Sequence, residues 1–207
     1  MTNKYDNTLV SVEGIDKSGG STLCRNLKDH LDGDWVFSKE PSEGKYGRVV
    51  RDTLESDDDP SLSDFFLFCA DRVDHVESLI GPKLEDDSVD GVVLDRYNLS
   101  TYAYQSPIVR EHIYSESGIR YVNNVVSEWV IEPDVTIILD IPVKESFRRM
   151  DTDREMYERR ESLEEARRIY NTFGEERPNV VRVDGMQAEA DVLEDAMRAI
   201  NEVRSRD

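Results

Sequence analysis

Along the chain, short apolar runs alternate with longer stretches whose apolar positions recur at helical spacing. Five runs rich in Val and Ile predict buried strands: "TLVSV" at 8–12, "WVFSK" at 35–39, "GVVLD" at 91–95, "VTIILDI" at 135–141 and "NVVRVD" at 179–184. Helical patterns separate them, as in "LCRNLKDHL", "DFFLFCADRVDHVESLI", "GIRYVNNVVSEWVI" and "SLEEARRIYNTF". The final "EADVLEDAMRAINEVRS" predicts an amphipathic closing helix. Strands alternating with helices point to an α/β fold, a five-stranded parallel sheet covered on both faces. In such sheets ligands bind beyond the carboxyl ends of the strands. Three polar segments fall there: the glycine-rich loop after the first run, "KEP" after the second and "DRY" after the third.

Composition narrows the function classes. A chain of 207 residues fits a single domain spanning 1–207. Asp and Glu outnumber Lys and Arg 45 to 26, for a formal net charge of −19, so a general nucleic-acid binder or an anionic-membrane binder is excluded. The regular apolar runs exclude a disordered acidic chain. Lysine is sparse and arginine carries most of the positive charge. Such a surface suits a cytoplasm with molar salt, where a Debye length of about 3 Å screens self-repulsion; the alternative is an ordinary acidic protein. Cys24 and Cys69 lie in predicted helices without metal-site spacing and read as buried thiols of a reducing cytosol. No run is apolar and long enough to span a membrane, and no signal-peptide pattern opens the sequence, so a cytoplasmic location is expected.

The sharpest chemical signal is "GIDKSGGST", between the first strand and a helix. It follows the phosphate-binding pattern G-x-x-x-x-G-K-[ST] at Gly14, Gly19 and Ser21, but position 20 is glycine rather than lysine. Glycines let N–H groups turn inward around phosphate oxygens, and the following helix offers its positive N-terminus. Ser21 is the residue to hold Mg²⁺. The plain alternative is a glycine turn before a helix. Asp95, ending an apolar strand, reads as a carboxylate near Mg²⁺ or the transferred phosphoryl group. Arg96 beside it can clamp a phosphate bidentately, or form a strand-end salt bridge with Asp95.

Seven segments occur in a telling order: "EGIDKSGGST", "KEP", "LFCADRVDHV", "DRYNLSTYAYQ", "PDVTIILDIP", an arginine-containing stretch leading to "YE", and "PNVVRVDG". From about Leu9 to Gly185 the chain resembles the thymidylate kinase family of P-loop nucleoside monophosphate kinases, which phosphorylate dTMP to dTDP with ATP. The resemblance implies a P-loop NTPase three-layer α/β/α fold with a short lid at about 149–160. It puts ATP on Gly14, Ile15, Asp16, Lys17, Ser18, Gly19, Gly20, Ser21 and Thr22, with Arg149 packing over adenine, and Mg²⁺ at Ser21 and Asp95. For dTMP it implies that Phe68 stacks on thymine, that Arg72 reaches a base carbonyl, and that Thr101 and Gln105 read the base edge. Ser100 and Tyr104 would line the deoxyribose, Asp16 the 3′-hydroxyl and acceptor phosphate, and Glu40 the acceptor side. Arg96 and Arg51 would bind the dTMP phosphate, while Tyr157 and Glu158 match the "YE" at the base of the lid. The resemblance also implies a homodimer. Read alone, Phe68 is a core residue, Asp16 a turn cap, and Arg51 and the lid arginines solvated helix residues.

Gly20 is the departure. Losing one aimed cation costs on the order of 10²–10³-fold in rate. Lys17 can reach the phosphates from the other side of the loop, and Arg149 or Arg154 can contribute as the lid closes. The catalytic set is therefore Asp16, Lys17, Asp95, Arg96, Arg149 and Arg154. Two alternatives stand beside the kinase: a nucleotide-binding homologue that has lost transfer, and a kinase of another deoxynucleoside monophosphate.

The charge pattern makes a direct prediction. Circular dichroism should show the fold lost on transfer from molar to low salt, whereas full stability at low salt would contradict adaptation to a saline cytoplasm.

Overall fold

The computed structural model describes residues 5–56, 61–112, 130–150 and 157–205. Its strands are Thr8–Gly14 (β1), Trp35–Lys39 (β2), Gly91–Asp95 (β3), Val135–Asp140 (β4) and Val180–Asp184 (β5). All five predicted runs are therefore strands, with β1 two residues longer than its apolar run. Every pairing is parallel and the order is β2-β3-β1-β4-β5. All seven residues of β1 are buried, because β3 and β4 flank it on either side. The chain leaves β1 toward β2 on one side and later crosses to β4 on the other, so a crevice opens beyond the carboxyl end of β1.

Strand alternation sorts the two faces of the sheet. Val10, Val12, Val93, Ile137 and Leu139 pack against helices α1 (Gly20–His30) and the closing Glu189–Arg204 through Leu23, Leu27, Val192 and Ile200. On the opposite face, Leu9, Val92 and Leu94 meet Ile80, Leu84 and Tyr97, while Ile138 and Ile141 meet Phe65, Leu99, Leu163 and Tyr170. These partners come from α3 (Leu62–His75), a π-helical turn at Val76–Ile80, α4 (Gly81–Leu84), the segment before and within α5 (Asn98–His112), and α7 (Tyr157–Glu176). The result is three layers, as expected for the α/β class.

Helices α2 (Lys45–Leu54), α4, α5 and α6 (Val143–Met150) are additions to the elements read from the sequence. The segment of α5 hides its helix because it is buried on more than one side, at Leu99, Thr101, Tyr102, Ala103 and Gln105, and so lacks a single apolar stripe. The closing helix is α8, Glu189–Arg204, as predicted. The expected helix "GIRYVNNVVSEWVI" lies at 118–131, outside the described residues but for its last two; of the expected lid, 151–156 also lie outside them.

Candidate active site

β1 ends on Gly14, and the loop to α1 turns on backbone conformations that ordinary residues avoid. Gly14 has φ 149° and Gly19 φ 113°. A Cβ on Gly14 would also lie 2.6 Å from Ser18 Oγ and 2.7 Å from the Leu139 carbonyl, so the close turn needs glycine. Lys17 holds a left-handed φ of 61° without being glycine, as does Arg96 at 69°. Residues Gly14 to Thr22 all face a cavity of about 1080 Å³, walled also by Lys39, Glu40, Asp95, Arg96, Arg149 and Gly185. The first turn of α1 presents N–H groups that no helical carbonyl can take. The cavity can therefore receive a polyphosphate.

Two oxygens converge at one corner of this cavity. Ser21 Oγ donates to Asp95 Oδ2 at 2.6 Å. A hydroxyl and one carboxylate, open to the cavity, fit Mg²⁺, which keeps several waters and uses few protein oxygens beside phosphate. Among the described residues no cluster of three or more His, Cys, Asp or Glu offers a denser cage. Gly20 lies against the same carboxylate: a Cβ there would sit 2.9 Å from Asp95 Oδ1. Asp95 thus fills part of the space that a lysine side chain would leave by.

Asp16 and Arg96 are paired on the cavity wall, Arg96 Nη2 donating to Asp16 Oδ1 at 2.7 Å. Tyr104 closes the group: its hydroxyl accepts from Asp16 N at 3.1 Å and donates to Asp16 Oδ1 at 3.2 Å. The Arg96 guanidinium lies over the Tyr104 ring, 5.4 Å from its centroid. Burial opposes the charge on Arg96, but Tyr104, Tyr170, Asp16 and Glu13 around it prevail and hold its pKa above the ordinary value. Burial pushes the Tyr104 hydroxyl up to about 12.

Beneath this group lies Glu13, which the sequence reading missed. It is 2 % exposed. Oε1 accepts from the N–H groups of Tyr97 (2.9 Å) and Ser100 (3.3 Å), and Oε2 accepts from Ser100 Oγ (2.7 Å) and Tyr170 Oη (3.2 Å). Burial still raises its pKa against these bonds and against Arg96 and Arg72. Strand alternation carried the signal: Glu13 continues the buried face of Leu9 and Ser11, where a lone carboxylate is rare.

Arg72, Thr101, Gln105, Phe68 and Glu40 form a second group around α3 and α5. Arg72 is 3 % exposed. Its Nε donates to Glu40 Oε2 at 2.9 Å, Nη1 to Thr101 Oγ1 at 2.6 Å and Nη2 to the Tyr97 carbonyl at 3.0 Å. His75 Nδ1 lies 3.2 Å from Glu40 Oε1, and its Nε2 lies 2.8 Å from Ser38 Oγ. Asp71, also missed, accepts from Ser42 N (2.8 Å) and Ser42 Oγ (2.5 Å) and so pins the loop after Glu40. Phe68 is half-buried one turn before Arg72, and Gln105 is buried on α5. The Tyr97 backbone joins the two groups, its N–H on Glu13 and its carbonyl on Arg72, and Ser100 beside it meets Arg96 Nη1 at 3.3 Å and Glu13.

Other expected residues stand apart. Arg51 donates to the Pro41 and Ser42 carbonyls, bracing the loop that carries Glu40 from outside the cavity wall. Arg154 and the side chains of Tyr157 and Glu158 lie outside the described residues. Lys17 is exposed on the cavity, and Lys39, not singled out in the sequence, adds a second lysine to its wall while paired with Glu43 at 3.0 Å.

Comparison with known proteins gives one consistent answer. The family model described as thymidylate kinase matches residues 12–196. A probable thymidylate kinase of Methanococcoides burtonii is 32 % identical over 199 residues, covering 94 % of this chain and 96 % of that protein. One from Halobacterium salinarum is 31 % identical over 193 residues, covering 93 % and 94 %. A thymidylate kinase of Brachyspira hyodysenteriae is 30 % identical over 202 residues, covering 94 % and 93 %.

The buried group around Glu40 makes stability depend on pH. Burial alone would raise this carboxyl, but Arg72 and His75 outweigh it and hold it below the ordinary range. Its folded pKa is thus below its unfolded one. The stabilisation is present above the unfolded value and is lost as pH falls through the folded one. Glu40→Gln should cost about 3–5 kcal/mol at neutral pH, because Arg72 is left buried and unpaired. In acid the variant's unfolding midpoint should converge on that of the wild type; parallel curves would contradict this.

Proposed function

The chain belongs to the thymidylate kinase family, and on that premise we propose that it transfers the γ-phosphoryl group of ATP to dTMP, giving ADP and dTDP. The observation that carries the reading is the Asp16–Arg96 pair, which stands in the phosphate loop's own cavity and is tied through Ser100 to the α5 face. A donor on the loop and an acceptor at Arg96 would meet there, so the reaction needs positioning and charge neutralisation rather than a covalent intermediate.

ATP lies with its phosphates on the loop from Gly14 to Thr22. Ser21 and Asp95 would hold Mg²⁺, which would neutralise charge on the phosphates. Arg96 exchanges Asp16 for the dTMP phosphate and aims one of its oxygens at the γ-phosphorus in line, while Asp16 turns to the 3′-hydroxyl. Arg72 and Thr101, fixed by Glu40, meet the polar edge of thymine, with Gln105 beside them and Phe68 against the ring. Tyr104 crowds the sugar's 2′ position and favours deoxyribose. The segment at about 149–160 serves as the lid that excludes water, with Arg154 and Tyr157 closing on the ligands.

Lys17 takes over the charge that Gly20 does not supply. It is the loop's own lysine, it is exposed on the cavity, and its left-handed backbone turns it apart from its neighbours. A reducing cytoplasm fits the free thiols Cys24 and Cys69, both raised in pKa by burial, Cys69 to about 11. A homodimer fits the exposed apolar side chains, since Val49, Leu54 and Phe66 all lie on α2 and α3. Light scattering should give twice the chain mass, and Phe66→Asp should give one; a monomeric wild type would contradict the dimer.

A coupled ATP-to-ADP assay with dTMP in high salt tests the activity. Lys17→Ala should lower kcat by about 10²–10³-fold. Gly20→Lys should be no better than the wild type, because its Cβ would lie 2.9 Å from Asp95 Oδ1 and the carboxylate beside Ser21 must shift to admit it. A wild type without turnover, restored by Gly20→Lys, would instead identify a nucleotide-binding homologue that has lost transfer.

A further inference from the structure

The carbonyls of the phosphate loop, from Gly14 to Gly19, each have a donor. Gly14 O accepts from Arg96 Nη1 (3.2 Å), Ile15 O from Ser18 N (3.0 Å), and Gly19 O from Leu23 N (2.9 Å). The remaining three accept from side chains of α6. Ser146 Oγ donates to Asp16 O at 2.6 Å, and Arg149 Nη1 to both Lys17 O and Ser18 O at 3.2 Å. Arg149 is itself fixed, with Nη2 on the Gly185 carbonyl at 3.0 Å and Nε on Glu145 Oε1 at 2.6 Å. Arg148 and Arg149 hold the Glu145 carboxyl down at about 2, so this anchor stays charged at neutral pH.

A peptide unit is planar and trans, so a carbonyl fixed on one side fixes the next residue's N–H on the other. Ser146 on Asp16 O therefore orients the Lys17 N–H, and Arg149 on Ser18 O orients the Gly19 N–H. With glycine at position 20, such backbone donors carry a larger share of any polyphosphate affinity. We propose that Ser146 and Arg149 are positioning residues that hold the phosphate loop in shape through its carbonyls, so that α6 sets its affinity for a polyphosphate chain.

This rests on ATP occupying the loop, as proposed above, but it assigns Arg149 a different task from packing over adenine. The two tasks part on a ligand with no base. Ser146 separates them further, because it is 0 % exposed, is not part of the cavity wall and bonds the loop at Asp16 O.

The test is calorimetric binding of magnesium tripolyphosphate and of ATP to the full chain in high salt, for wild type, Ser146→Ala and Arg149→Met. Each variant should weaken both ligands by the same factor, about tenfold, the upper end of what one lost hydrogen bond contributes. In turnover, Arg149→Met should raise KM for ATP and leave KM for dTMP within about twofold, a split that general destabilisation would not produce. The proposal is overturned if Arg149→Met weakens ATP but not tripolyphosphate, if both variants bind tripolyphosphate like the wild type, or if the wild type does not bind it. Ser146→Ala keeps the test decisive should Arg149→Met fail to fold. Absence of dTMP turnover would remove the kinase reading and leave this test standing, since it reads binding alone.

Discussion

A loop that turns N–H groups toward an anion must turn carbonyls away from it, and those carbonyls need donors. Much of this structure answers that requirement. In the sheet order β2-β3-β1-β4-β5, the strand that ends in the loop has β3 on one side and β4 on the other. The segment leaving β3 supplies Arg96 to the Gly14 carbonyl, and the helix after β4 supplies Ser146 and Arg149 to the next three free ones. Sheet topology thus decides where the donors come from. The same placement puts two arginines against the loop, which matters more in a loop whose usual lysine is glycine.

Buried charge ties this loop to the rest of the site. Glu13 accepts from Tyr97 and Ser100 at the start of α5 and from Tyr170 of α7, directly under Arg96. Glu40 is locked to Arg72 and His75, and Asp71 locks the loop that follows it. Pairs of this kind add little net stability compared with apolar packing, but losing one partner is costly. Their contribution is geometric. Arg72 and Arg96 are held in place by protein partners, which would lower the cost of ordering them against a ligand.

The strands were legible in the sequence because each is an uninterrupted apolar run, and the phosphate loop because glycine spacing is itself a backbone requirement. Helix α5 was not, since burial on several sides leaves it no stripe. Phe68, Thr101 and Gln105 stood out only through family resemblance; their residue types alone would pass as core or helix surface. Glu13 was within reach of simple alternation. Ser146 and the bracing of Arg149 were not, because their partners are backbone carbonyls, which every residue has. Gly20 was plain as a letter, but the proximity of Asp95 to it is a property of the folded chain.

The central claim is that donor and acceptor meet over one loop, with Asp16 and Arg96 between them. Its most direct test is calorimetric titration with adenosine and thymidine joined 5′ to 5′ through five phosphates. The account predicts one molecule bound per chain, at least about a hundredfold more tightly than ATP or dTMP alone, as expected when one linked ligand engages two adjoining sites. Binding no tighter than that of ATP or dTMP alone would contradict it.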